Sequence, residues 1–196
     1  MERDGTILLL FDIDGTLTTS EGRAGQLMIR ALEELLGQKV TYTRDDFSGS
    51  TDRLIIRNLL RRSGKPIEDE DRVIDAVLER YLAYLRQEFL PGGVVRALPG
   101  VKSLLEALAR DERFALGLVT GNVREGAYTK LRPVGLAEYF PVGAFGDDAM
   151  DRNALPPLAL ARASRYYHTP FDPRRTWIIG DSIRDIACAR ANGLRA

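Results

Sequence analysis

Between the first two strand-like segments of this chain lies an interval far too long for a single crossover helix, running from about Thr18 to Asp111. Four short apolar segments read as buried strands: Thr6 to Phe11, Phe114 to Val119, Val142 to Phe145 and Thr176 to Gly180, the third with the weakest pattern. Helical patterns at Glu125 to Arg132 and Ala154 to Tyr167 separate the later three. Strand alternating with helix predicts a parallel sheet covered on both faces. The long interval must then hold an insertion. Its first helix carries Leu27, Met28, Ala31, Leu32, Leu35 and Leu36 at helical spacing and stops at Gly37. A second helix starts near Asp52 and ends near Ser63-Gly64. A third, about Asp69 to Phe89, aligns Val73, Val77, Tyr81 and Leu85 before Pro91-Gly92-Gly93 breaks it. Asp52 is either the N-cap of the second helix or a site residue. The helix from Val101 to Arg110 leads back into the sheet. The expected fold is therefore α/β: a parallel-sheet Rossmann-like core of residues 1–17 and 97–196, with a helical cap subdomain of residues 18–96 inserted in it.

Composition narrows the function. Hydrophobic residues at 44% and charged residues at 29% exclude a disordered or fibrous chain. Lysine plus arginine and aspartate plus glutamate both number 28, so no basic footprint for nucleic acid is present. The longest aliphatic or aromatic run, Ile7 to Phe11, is far too short to span a membrane, and no signal-peptide layout precedes it. The single cysteine, Cys188, sits in an apolar helical segment and reads as a packed thiol in a reducing, cytoplasmic setting. The only histidine, His168, excludes any multi-histidine metal site.

The chemistry collects where the strands run out. Phe11-Asp12-Ile13-Asp14-Gly15-Thr16 places two carboxylates two residues apart at the end of the first strand, the end at which open parallel sheets bind ligands. In a continuing strand residues i and i+2 share a face, so both acids would point at one ligand. Two carboxylates so close repel each other unless a cation lies between them. Oxygen donors without histidine or cysteine favour magnesium over zinc. Trp177-Ile178-Ile179-Gly180-Asp181-Ser182-Ile183-Arg184-Asp185 repeats the arrangement, with Asp181 able to complete the metal site. Asp185 binds metal through water, holds Asp181 in place, or caps the helix that follows. The second strand ends in Thr120-Gly121-Asn122, a hydroxyl, an unhindered amide and a side-chain amide suited to phosphate oxygens.

Asp12-Ile13-Asp14-Gly15-Thr16, Thr120-Gly121-Asn122 and Gly180-Asp181 with Asp185 together resemble the motifs of the haloacid dehalogenase-like hydrolase superfamily, over essentially the whole chain. Gly49-Ser50-Thr51-Asp52-Arg53 and Leu98-Pro99-Gly100-Val101 resemble segments of its phosphoglycolate phosphatase-like branch, whose helical cap follows the first motif. The resemblance implies that Asp12 is the nucleophile, forming an aspartyl phosphate, and that Asp14 is the acid and base. It implies that magnesium is held by the Asp12 carboxylate, the Asp14 carbonyl and Asp181, with Asp185 nearby, and that Thr120, Gly121 and Asn122 bind the phosphoryl oxygens, beside Gly15 and Thr16. The family's basic residue, usually lysine, is here either Arg152, at a helix start, or Lys130, which otherwise reads as a solvated helix residue. Arg53 is a candidate for reading a substrate carboxylate, against the alternative of a surface arginine. Asp147-Asp148 reads as a charged loop. The expected substrate is a small phosphorylated metabolite; a phosphomutase and a noncatalytic receiver-like module are the alternatives. The sequence stops at Ala196, short of the further strand and helix that the resemblance implies, which predicts an open sheet edge.

Overall fold

The computed structural model describes residues 5–196. Its main sheet has four parallel strands, β1 (Ile7–Phe11), β4 (Phe114–Val119), β5 (Gly143–Ala144) and β6 (Thr176–Ile179), in the order β5-β4-β1-β6. β1 is central, with Leu9 opposite Leu116 on one side and Trp177 on the other. The period of two divides its side chains between two cores. Leu8 and Leu10 pack with Leu155, Ala159 and Ala163 of α6 (Leu155–Tyr166) and with Cys188 and Ala189 of α7 (Ile183–Ala191). Leu9 and Phe11 pack on the other face with Val101 and Leu105 of α4 (Val101–Ala109) and with Ala127 and Leu131 of α5 (Arg124–Leu131). Covering both faces is why β1 reads as an unbroken apolar run instead of alternating with polar residues. The Val142 to Phe145 segment yields only the two residues of β5, beyond which the Gly146 amide donates to the Asn122 carbonyl.

The long interval folds as a second layer of three helices with its own core. α1 (Arg23–Leu36), α2 (Asp52–Arg62) and α3 (Glu70–Phe89) bury Leu27, Leu32, Ile56, Leu59, Val77 and Leu85 against one another. Gly37 ends α1 with φ +68°, its amide donating to the Glu33 carbonyl, and Asp69 caps α3 through the Arg72 amide. A feature the periodicity did not announce joins the layers. β2 (Thr18–Thr19) and β3 (Arg96–Ala97) pair antiparallel, so the two passages of chain into and out of the helical layer run side by side.

One expectation changes at the margin of the sheet. Beyond β6, Arg195 lies along the edge: the Ile178 amide donates to its carbonyl at 2.8 Å and its own amide donates to Thr176 at 3.0 Å. The edge expected to be open thus carries a short length of main chain. Asp147 and Asp148 brace their loop, with Asp148 accepting from the Phe145 amide and pairing with Arg162, and Asp147 accepting from the Arg124 amide. Among the described residues no helix is long and apolar enough to cross a membrane.

Candidate active site

The turn after β1 sets the geometry. Asp12 is still in the ladder, its amide donating to the Ile179 carbonyl at 2.9 Å. Three residues on, Gly15 has φ +84°, and the amides of Leu17 and Thr18 fold back onto the Ile13 carbonyl. A Cβ on Gly15 would lie 2.3 Å from Asp181 Oδ2, so only glycine lets the β1 and β6 turns approach this closely. Thr16 spans the same gap, its hydroxyl donating to Asp181 Oδ1 at 3.2 Å.

Asp12 lies on the floor, 6% exposed. Burial pushes its carboxyl above the ordinary range; Arg152 opposes this, while the charges of Asp185 and Asp14 reinforce it. The Arg152 guanidinium is 3.3 Å from Asp12 Oδ1 and 2.6 Å from Asp185 Oδ1, and the Thr120 hydroxyl bonds to Asp12 as well. Asp185 has two tasks. Its Oδ2 closes a capping box with Ser182 at the start of α7, and its Oδ1 holds Arg152. Asp12, Asp181 and Asp185 each present an oxygen within 4.8 Å of the others. Three carboxylates against a single guanidinium leave a net negative cluster of hard donors, which fits a divalent cation of the magnesium type.

Asp14 is turned elsewhere. Its carboxylate is not part of that trio, because the positive-φ turn at Gly15 ends the strand geometry that would have kept residues 12 and 14 on one face. Lys130 Nζ donates to Asp14 Oδ2 at 2.6 Å and to Asn122 Oδ1 at 2.6 Å, and Asn122 Nδ2 donates to Asp14 Oδ2 at 2.8 Å. Lys130 is therefore a buried member of the site and not a solvated helix residue, with its side chain 4% exposed beside the half-exposed Asp14. Both basic candidates enter the site, one on each aspartate. Asn122 also donates to Thr120 Oγ1 at 2.9 Å, fixing the turn after β4. Gly121 is needed here, since a Cβ would lie 1.9 Å from the Ser50 carbonyl of the helical layer.

That layer is tied down at the start of α2. Thr51, and not Asp52, is the N-cap, its hydroxyl accepting from the Leu54 amide and donating to the Met150 carbonyl at 2.7 Å. Asp52 crosses to the core: its amide donates to the Gly121 carbonyl and its carboxylate accepts from the Val123 amide at 2.9 Å. Burial raises its pKa to about 6 against the pull of Lys130. Ser50 accepts from Arg184 of α7. Arg53 points away, pairing with Asp75 at 2.6 Å and Asp71 at 3.7 Å, and does not line the cavity.

The two layers enclose a cavity of about 450 Å³ whose floor holds Asp12, Asp14, Thr120, Gly121, Asn122, Lys130, Arg152 and Asp181. Arg44, Phe47 and Tyr81 complete its wall from the helical layer. Sequence reasoning missed these three; Tyr81 shares the apolar stripe of α3, and nothing in the pattern separates it from core. Residues 9–190 match the family model of the haloacid dehalogenase-like hydrolases. The chain belongs to the haloacid dehalogenase-like hydrolase family. It is an enzyme of the hydrolase class, and its curated relatives are named as phosphatases. The phosphoglycolate phosphatase of Nitrosococcus oceani is 28% identical, over 94% of this chain and 79% of the relative. A phosphorylated carbohydrates phosphatase of Thermotoga maritima is 27% identical over 95% of this chain and 81% of its own. The crystal structure of CbbY from Rhodobacter sphaeroides in complex with phosphate superposes with a TM-score of 0.71 at 25% identity, covering 97% of this chain and 84% of that one.

Proposed function

We propose that this hydrolase is a magnesium-dependent phosphatase that cleaves small phosphomonoesters through an aspartyl phosphate on Asp12. The observation that carries the reading is the convergence of Asp12, Asp181 and Asp185 oxygens within 4.8 Å of one another on the cavity floor. Asp12, Asp181 and the Asp14 carbonyl would hold the magnesium ion, with Asp185 behind them, and the bound ion supplies neutralisation of phosphoryl charge. The rest is the work of the chain's own groups. The Asp12 carboxylate attacks phosphorus, and Arg152 beside it offsets the repulsion between an anionic nucleophile and an anionic ester. Thr120, with the Gly121 and Asn122 amides, cradles the phosphoryl oxygens. Asp14, half-exposed at the cavity and hydrogen-bonded to Lys130 and Asn122, gives a proton to the departing alkoxide and takes one from the water that hydrolyses the intermediate. A cavity of about 450 Å³ between the sheet and the helical layer supports small substrates of the phosphoglycolate type. The free, buried Cys188 supports a reducing, cytoplasmic setting.

Phosphate release from p-nitrophenyl phosphate tests the reading. Turnover is expected with magnesium, and its loss on chelation and in Asp12→Asn. Full turnover by Asp12→Asn, or by metal-free protein, overturns it.

A further inference from the structure

Three successive residues of the helical layer, Ser50, Thr51 and Asp52, each reach a different turn of the site. Ser50 accepts from Arg184 in the first turn of α7, just past Asp181. The Thr51 hydroxyl donates to the Met150 carbonyl at 2.7 Å, two residues ahead of Arg152. Asp52 grips the turn after β4 at both ends: its amide donates to the Gly121 carbonyl at 2.8 Å, and its carboxylate accepts from the Val123 amide at 2.9 Å. Asn122, which holds Asp14, lies between those two bonds. The segment is seated closely, since a Cβ on Gly49 would lie 2.7 Å from Arg184 Cβ and 2.8 Å from Ser182 Oγ.

The bond to Val123 reaches beyond the turn. Val123 is the N-cap residue of α5, and its apolar side chain cannot accept from the helix amides. The buried Asp52 carboxylate stands at this helix start instead, where free amides and the positive end of the helix dipole favour an acceptor. α5 in turn carries Lys130, whose Nζ bonds to Asp14 and Asn122. One carboxylate therefore braces both residues that touch Asp14. Removing it leaves the Val123 amide without that acceptor and lets the turn shift, and a displacement of about 1 Å beside reacting groups can cost about 100-fold in rate. Thr51 acts on the other flank of Asp12, through the segment that leads into Arg152, and does not itself line the cavity.

We propose that Asp52 and Thr51 are positioning residues: seated between the turns that carry Asn122 and Arg152, they set the geometry of the phosphoryl site from the helical layer without touching the phosphoryl group. The inference rests on the phosphatase reading and gives the start of α2 a task in the reaction besides joining the two layers.

The test measures hydrolysis of p-nitrophenyl phosphate with magnesium, and its inhibition by inorganic phosphate, at a temperature where circular dichroism shows each variant folded. Asp52→Ala lowers kcat/KM about 10- to 100-fold and weakens inhibition by phosphate, whereas Asp52→Asn, which keeps an acceptor for Val123, restores both to within about threefold of wild type. Thr51→Val lowers kcat/KM about tenfold, and Thr51→Ser, which keeps the hydroxyl, restores it. Leu60→Val, two turns further along α2 in the core of the helical layer, loses stability but keeps kcat/KM and phosphate inhibition. Wild-type values in Asp52→Ala, or a loss in Asp52→Asn as deep as in Asp52→Ala, overturn the inference while the wild type still turns over. An equal loss in Leu60→Val reduces the effect to stability and overturns it too. If Asp52→Ala does not fold, the Thr51 pair decides by the same criteria. Absence of turnover in the wild type overturns the phosphatase reading, and the inference with it.

Discussion

Replacing Asp52 by asparagine changes how stability depends on pH, by an amount that follows from the raised pKa of its carboxyl. Asp52 is 6% exposed, and its carboxylate accepts a hydrogen bond from the Val123 amide across the junction of the two layers. Burial raises its pKa from 3.8 to about 6 in the folded chain, so the fold prefers the protonated carboxyl. A raised folded-state pKa contributes stability that is fully present below the unfolded value and is lost as pH rises through the folded one. The displacement corresponds to about 3 kcal/mol. The asparagine side chain keeps an acceptor for the Val123 amide but never ionises, and any cost of its extra N–H groups is independent of pH. The stability of Asp52→Asn relative to wild type therefore increases by about 3 kcal/mol between about pH 3 and pH 8, then levels off. Urea denaturation across that range, in chelator to keep metal linkage out, measures it. A constant difference between the two proteins, or one that shrinks with rising pH, refutes the reasoning.

Arg152→Met and Lys130→Met separate the two basic residues. Losing Arg152 strands Asp12 and Asp185, both buried, and breaking such a pair costs about 3–5 kcal/mol. Losing Lys130 costs less, because the half-exposed Asp14 turns to water. Denaturation midpoints check this, and an equal or reversed order contradicts it. In Gly15→Ala the new methyl meets Asp181 Oδ2 at 2.3 Å on a backbone with φ +84°. Displacing the β6 turn by this much lowers kcat about 100-fold and raises the magnesium concentration for half-activity, with the circular dichroism spectrum retained; unchanged metal dependence contradicts the assignment of Asp181.

Much of this was legible because it follows from period and termination. The Leu27 to Leu36 spacing and Gly37 set α1, and the apolar run of β1 ending in Asp12 pointed to the end of the sheet where the cavity lies. The meeting of Asp12 with Asp181 and Asp185 follows once β1 and β6 are neighbours in a parallel sheet. Side-chain direction past a strand end is another matter. The turn at Gly15 aimed Asp14 at Lys130, a residue whose local pattern is that of any solvated helix lysine. Arg53 is held away from the cavity by Asp75 and Asp71, which only the packing of α3 beside α2 brings within its reach. The two-residue ribbon of β2 and β3 is too short to leave any period in the sequence.

The chemical identity of Asp12 decides the account most directly. Acid quenching during turnover, reduction of the acyl phosphate with borohydride and peptide mapping by mass spectrometry should convert residue 12, and no other aspartate, to homoserine. Reduced product at a different aspartate, or at none while phosphate is still released, would contradict it.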